Sequence, residues 1–255
     1  MTGSPWTLRF APRPAAATML VCIPGAGGGA SAFRAWSRAM PAWIECVAVQ
    51  IPGRESRFRE RPERDLAAVV RGLADVLAAE AGRPFALFGH SLGGLIAYEV
   101  TRDLERRDCN PAHLFVAACP PPHARRLSSG LEGLGLDELI VELRRRGDTP
   151  RPVLENRELM AELARILAAD LALAAAYSFA AGQLLRLPLT VLGGVDDAEV
   201  PVAGLARWSE LTRGPCAVRR FPGRHFFTNT SREAVLRAIV ADLARSGGAA
   251  AAQFS

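Results

Sequence analysis

The stretch Phe85-Ala86-Leu87-Phe88-Gly89-His90-Ser91-Leu92-Gly93 decides how this 255-residue chain is read. Its first four residues form a short apolar run of the kind that fills a buried strand. From Leu92 to Arg106 the pattern becomes helical. Between the two stands Gly-x-Ser-x-Gly, which many glycine-rich turns match by accident. At a strand-to-helix turn it means more, because the serine there sits on a strained backbone with its hydroxyl exposed. Gly89 and Gly93 leave room for that turn, where a Cβ would crowd the neighbouring backbone. The helix N-terminus beneath Ser91 favours negative charge developing nearby.

Outward from this segment, short β-type runs alternate with helical periodicity, the pattern of a mostly parallel sheet with helices on both faces. Strands are predicted at Met19 to Ile23, Cys46 to Gln50, Phe85 to Phe88, Leu114 to Ala118, Leu189 to Leu192 and Ala217 to Phe221. All six read as apolar on both faces. Leu66, Val69, Val70, Leu73, Val76 and Leu77 keep helical spacing, with Asp65 placed to cap the helix start. Thr230-x-x-Glu233 reads as a capping box opening a last helix that buries Val235, Leu236, Ile239, Val240 and Leu243. One segment breaks the alternation. From about 127 to 181 only helical stretches occur, Asp137 to Arg146 and roughly Asn156 to Ala181, with Gly147 and Pro150 between them. Lying between the fourth and fifth predicted strands, it is expected to be a helical lid inserted over one end of the sheet. The rest forms one α/β domain over 1–255, with a frayed tail at 247–255.

Composition narrows the classes. At 49% hydrophobic and 22% charged the chain is globular, and its net charge of +5 is mildly basic. Its arginines are scattered beside acids and prolines, and no basic stripe interleaved with aromatics points to nucleic acid. The five cysteines are odd in number, lack CxxC spacing and sit partly in apolar runs, so neither a disulfide framework nor a zinc site is expected. The N-terminus lacks a signal-peptide pattern, and the Ala-rich run near Ile166 to Ala181 is interrupted by Asp170. A soluble cytoplasmic protein, acting as a monomer, is the expectation.

A serine hydroxyl needs a base to act as a nucleophile, and the chain has four histidines. His90 sits inside the turn, where its side chain must diverge from that of Ser91. His113 precedes a strand at the far end of the sheet, and His123 follows three prolines near the insertion. His225 follows the last predicted strand, and a loop there can swing an imidazole over the serine. The base in turn needs a carboxylate. In the order Ser, acid, His, the strand Leu189 to Leu192 runs into Gly193-Gly194-Val195-Asp196-Asp197-Ala198-Glu199, offering three carboxylates among which spacing does not choose. Donors for an oxyanion are expected from the backbone N–H of Leu92 and, in the loop Pro24-Gly25-Ala26-Gly27-Gly28-Gly29, from that of Ala26. This order of groups is that of the α/β-hydrolase fold.

The same loop contains a decoy. Gly25-x-Gly27-x-x-Ala30 after a strand matches a loose dinucleotide fingerprint. A ribose-binding acid should then end the next strand, but Gln50 stands there and Glu45 lies at the strand's beginning. No cofactor and no metal are expected.

Taken together, these segments resemble the stand-alone type II thioesterases that accompany polyketide and non-ribosomal peptide synthases, from roughly Met19 to Leu243. Cys22-Ile23-Pro24-Gly25-Ala26-Gly27-Gly28 looks like their oxyanion loop, with Gly25 where His or Tyr is common. Val49-Gln50-Ile51-Pro52-Gly53-Arg54-Glu55-x-Arg57 is similar to their PGRE segment, and Leu143 to Pro150 to the start of their lid. Phe221-Pro222-Gly223-Arg224-His225-Phe226-Phe227 matches their histidine segment, with Arg224 at a usual glycine. Laid on the family's Gly-Gly-Asp-x-Asp-Pro, the triad acid falls on Asp197, while the first aspartate has become Val195 and the proline Ala198. The resemblance therefore implies a Ser91, Asp197, His225 triad. It also implies hydrolysis of acyl thioesters on the phosphopantetheine arm of acyl or peptidyl carrier proteins, clearing stalled or mis-primed chains. Three rivals stay open: a general carboxylesterase or lipase, a chain-releasing thioesterase domain, and a non-catalytic carrier-binding homologue. The free chain and the complete residue set argue against the last two.

Overall fold

The computed structural model describes residues 4–80, 82–124, 130–131, 133–146 and 149–251, with 247–251 as backbone alone. Its strands are β1 (Thr7–Leu8), β2 (Thr18–Ile23), β3 (Ile44–Val49), β4 (Phe85–His90), β5 (His113–Ala117), β6 (Leu189–Gly194) and β7 (Cys216–Phe221). They form one sheet in the order β1-β3-β2-β4-β5-β6-β7. Every neighbouring pair is parallel except β1 with β3. All six predicted strands are present to within two residues at each end. β1 was not foreseen, because two residues are too few to show a period.

The helices are α1 (Arg34–Ala39), α2 (Leu66–Ala79), α3 (Leu92–Arg106), α4 (Leu136–Arg146), α5 (Arg151–Leu154), α6 (Arg157–Ala176), α7 (Val202–Leu205), α8 (Phe227–Thr230) and α9 (Arg232–Ala251). Side chains alternate across each strand and so feed two cores. Val21, Ile23 and Leu87 point to the side where α2 and α3 contribute Leu73, Leu95 and Val100. Leu20, Cys22, Phe88 and Phe115 point to the other, against Trp36 of α1 and Ile239 of α9. As read, Asp65 caps α2, its carboxylate accepting from Ala67 N at 2.9 Å. Asn156 does the same for α6 through Glu158 N and Leu159 N, at 3.0 Å each.

Four expectations change. β7 is not buried on both faces: Ala217, Val218 and Arg220 are exposed, because it is the last strand and only β6 flanks it. The long insertion helix stops at Ala176 rather than 181. There Tyr177 turns extended and donates its hydroxyl to Glu99 at 2.7 Å. The capping box does not open the last helix. Thr230 closes the short α8, and α9 starts at Arg232. The tail expected to fray from Gly247 is helical to Ala251, as its alanines favour; residues 252–255 lie outside the described residues, as do 127–129, 132, 147 and 148 of the expected lid.

Helices α4, α5 and α6 lie between β5 and β6 and carry a small apolar core of their own, including Leu139, Leu154, Met160 and Leu167. They cap the carboxyl edge of the sheet, where clefts form in open α/β structures. Among the described residues no helix is long and apolar enough to cross a membrane.

The turn after β4 is closely packed. A Cβ on Gly93 would lie 2.3 Å from the carbonyl oxygen of Ile23, which belongs to β2 and has no freedom to retreat. Gly93→Ala is therefore expected to destabilise the protein by about 2–3 kcal/mol or more, seen as a lower urea midpoint. An unchanged midpoint would mean that β2 and α3 pack less closely than described.

Candidate active site

Ser91 stands between β4 and α3 with φ 54° and ψ −117°, a conformation that a residue with a Cβ adopts only under constraint. Its N–H donates to Ala117 O at 2.8 Å, and its own carbonyl accepts from Gly94 N at 2.9 Å. Gly89 cannot carry a side chain, since its Cβ would meet Gly93 O at 2.0 Å. The serine is thereby presented to a cavity of about 550 Å³, a size common for ligand pockets. Its lining includes the loop Gly25–Gly29 after β2 and an apolar part, Leu131, Leu143, Val153, Leu163, Leu167 and Leu171, from the helical cap.

His225 reaches the same cavity from the loop after β7. Its Nδ1 lies 3.0 Å from Oδ2 of Asp197, which follows β6, and both residues are buried. The other oxygen of Asp197 accepts from Glu199 N at 2.9 Å and Val200 N at 3.1 Å. Burial pushes the Asp197 carboxyl up. Its hydrogen bond to His225, the imidazole charge and the two backbone donors together hold it below the usual value. The tertiary structure thus separates the three carboxylates that spacing left equal. Asp197 faces the imidazole, Asp196 is exposed, and Glu199 pairs with Arg146 at 2.8 Å.

The other histidines have different surroundings. His123 pairs with Glu210 at 2.8 Å. His113, at the start of β5, contacts Thr190 Oγ1 at 2.9 Å and Ser246 Oγ at 3.0 Å, far from the serine end of the sheet. His90 does diverge from Ser91, and its Nε2 lies 2.9 Å from the carbonyl of His225. A carbonyl only accepts, so the proton of this ring sits on Nε2. Burial, reinforced by the charge on His225, pushes the His90 pKa down to about 3. His90 is thus a neutral support for the His225 loop, a role with no mark in the motif. It also bears on Gly25: a Cβ there would lie 2.9 Å from His90 Nδ1.

Ala26 and Leu92 both line the cavity. Among the described residues neither backbone N–H has a protein acceptor, which leaves two donors available to an oxygen bound between them. The loop holding Ala26 differs in geometry from the phosphate-binding turn of a dinucleotide fold. It leads into a 3₁₀ turn, Ala30–Phe33, rather than a helix N-terminus. Gln50, where a ribose-binding acid would stand, is buried, accepting from Ala30 N at 3.4 Å and donating to Arg54 O at 2.8 Å.

Two residues escaped sequence reading. Asp170, noted only as an interruption of an apolar helix, is fully buried and paired bidentately with Arg54 at 2.7 Å. Glu55, next to it in the PGRE segment, accepts from Ser31 N at 3.2 Å beside the Gly-rich loop. A charge in an otherwise apolar helix was the available signal for Asp170. Its partner, 116 residues away, was not readable.

A mostly parallel sheet with a strained serine, an imidazole and a buried carboxylate at its carboxyl edge defines a protein of the α/β-hydrolase class. A family model described as Thioesterase domain matches residues 18–243, and the chain belongs to that family. It is 36% identical over 228 residues to the gramicidin S biosynthesis protein GrsT of Aneurinibacillus migulanus, covering 89% of each chain. Among solved structures it is similar to the type II thioesterase BorB from the borrelidin biosynthetic cluster. That match has a TM-score of 0.86 and 33% identity, and covers 94% of this chain and 98% of that one. It is also similar to YbtT, a type II thioesterase from the yersiniabactin NRPS/PKS biosynthetic pathway, with a TM-score of 0.83, 28% identity, and 94% and 99% coverage.

The buried histidines give a pH dependence of stability. His90 and His113 ordinarily titrate near 6.5, but in the folded protein burial lowers them to about 3 and about 4. The unfolded chain therefore binds more protons as pH drops below 6.5, and stability falls with it. Each histidine contributes at most about 1.4 kcal/mol per pH unit. The urea midpoint is expected to fall between pH 6.5 and 5, with a shallower slope in His113→Gln. A midpoint constant over that range would contradict it.

Proposed function

We propose that this protein is a type II thioesterase, hydrolysing acyl thioesters carried on the phosphopantetheine arm of acyl or peptidyl carrier proteins in polyketide or non-ribosomal peptide biosynthesis. The observation that carries this reading is the convergence of Ser91 and the buried Asp197–His225 pair on one cavity lined by the apolar cap. That lining suits an aliphatic acyl chain, while the polar floor suits the reacting carbonyl. Family membership and the likeness to BorB and YbtT support the thioester as the bond attacked.

In the proposed reaction His225 takes the proton of Ser91 Oγ as that oxygen attacks the thioester carbonyl. Asp197 keeps the imidazole in the required tautomer and stabilises its protonated form. The tetrahedral oxyanion lies between the N–H groups of Ala26 and Leu92, which face charge that develops only as the reaction proceeds. Collapse breaks the C–S bond, and the imidazolium gives its proton to the departing thiolate. Water then attacks the acyl-serine, His225 again accepting the proton, and the free acid leaves with Ser91 restored.

The cap of α4, α5 and α6 is read as a lid on the acyl chain, and the removal of stalled or mis-primed chains as the biological task. All the reacting groups come from one chain, so a monomer suffices. All five cysteines are free, as suits a reducing cytoplasmic setting.

Ser91→Ala is expected to abolish hydrolysis of acyl-carrier and acyl-N-acetylcysteamine thioesters; full retained turnover would end the proposal. Asp197→Asn should lower kcat on the order of 10⁴-fold, and Asp196→Asn should leave it close to wild type. The opposite ranking would move the acid to Asp196. Comparison with simple oxygen esters of the same acyl groups separates a thioesterase from a general carboxylesterase, which would prefer or equally accept the latter.

A further inference from the structure

Asp170 of α6 is joined to the catalytic floor by three hydrogen bonds. Its Oδ1 accepts from Arg54 Nη2 at 2.7 Å. Its Oδ2 accepts from Arg54 Nη1 at 2.7 Å and from the backbone N–H of Gly27 at 2.8 Å. Arg54 in turn donates to Gly28 O at 2.9 Å. Both side chains are almost completely buried. One carboxylate from the cap therefore grips the loop that holds the Ala26 donor.

The effect on Ala26 follows from peptide geometry. A trans peptide is planar, so fixing one of its two polar groups aims the other in the opposite direction. The plane before Ala26 contains Gly25 C=O and Ala26 N–H, and it is fixed where Gly25 O accepts from Gly28 N at 3.0 Å. The plane after it contains Ala26 C=O and Gly27 N–H, and Asp170 fixes that one. Gly27 sits at φ +73°, so the turn that brings its N–H to the carboxylate is also one that glycine tolerates best. With both planes pinned, the dihedrals of Ala26 have no slack.

We infer that Asp170, locked by Arg54, is a positioning residue for the oxyanion hole, holding the Ala26–Gly27 peptide and with it the turn that presents the Ala26 N–H, without touching substrate. Helix α6 is by the same bonds a fixed wall of the cavity, unable to swing outward without releasing the loop. This inference rests on the proposed hydrolytic reading for its kinetic consequences, though not for the latch itself.

The test uses the full chain with Asp170→Asn and, because a neutral side chain leaves the Arg54 charge buried alone, also Arg54→Lys, which keeps a charge but cannot bond bidentately. An acyl-N-acetylcysteamine thioester serves as substrate. An acyl trifluoromethyl ketone, which forms an oxyanionic adduct with serine, and an unreactive acyl amide of the same chain serve as ligands. In each variant that retains a cooperative thermal transition, kcat should fall roughly 10- to 100-fold, as for a donor misplaced by about 1 Å, while KM stays within about threefold. Affinity for the ketone should fall in step with kcat, and affinity for the amide should not. Wild-type kcat in a folded variant, or equal loss of both ligands, would overturn the positioning role. The latch is read independently by hydrogen exchange of the Gly27 amide, expected to be slow in the wild type and fast in either variant. Unprotected exchange in the wild type overturns the inference, whereas protection in a wild type lacking thioesterase activity leaves the latch standing and sinks the hydrolytic reading instead.

Discussion

The close approach of two backbones beneath Ser91 governs most of this molecule. β2 and α3 pass so near each other that Gly93 has the carbonyls of Ile23 and Pro24 where a side chain would go. The turn between β4 and α3 must then be made within a residue or so, and Ser91 takes up the strain at φ 54°. Such strain persists only where surrounding structure over-determines it. Here the parallel pairs on both sides of β4 do so, with Val21 opposite Leu87 on one flank and Leu87 opposite Leu114 on the other. From this constraint follow the presentation of Ser91 to the cavity, the place of the Leu92 N–H at the start of a helix, and the proximity of the β2 loop that contains Ala26.

Electrostatics completes what the backbone sets up. Asp197 is buried, a state that disfavours its charge, yet an imidazole and two amides satisfy it fully enough to hold its pKa down. His90, its ring centroid 5.2 Å from that of His225, contacts a carbonyl instead, and burial pushes its pKa down. Two adjacent imidazoles thus have different neighbours: His225 faces a buried carboxylate, and His90 faces a carbonyl. A buried ion pair such as Arg54 with Asp170 is weak evidence for stability, because desolvation opposes the attraction. Its value here is geometric, since the four-way contact ties the helical cap to the loop below it.

Much of this was legible in the chain. Buried parallel strands announce themselves as short apolar runs, and a serine between such a run and a helix carries its own geometry, so the sheet, Ser91 and its flanking glycines could be read locally. His225 was legible because its place after the last strand leaves few other histidines able to reach the same edge. Asp65 shows how a cap, which depends on the next two residues, is visible in sequence. The reading failed where the deciding partner was distant. The long cap helix was extended too far because alanines do not signal its end, while Tyr177 leaves it to reach Glu99. The composition of β7 suggests burial on both faces because it does not reveal that the strand is the edge.

The sequence by itself determined the α/β alternation, the strained turn, and the order of serine, acid and histidine, since each depends on neighbours along the chain or on the succession of elements. Only the tertiary structure set Asp197, rather than Asp196 or Glu199, against the His225 imidazole, placed His90 against the His225 carbonyl, and joined Asp170 to Arg54 and Gly27. Those assignments depend on which side chains share a low-dielectric space after folding, and contact across 28, 135 or 116 residues leaves no local trace.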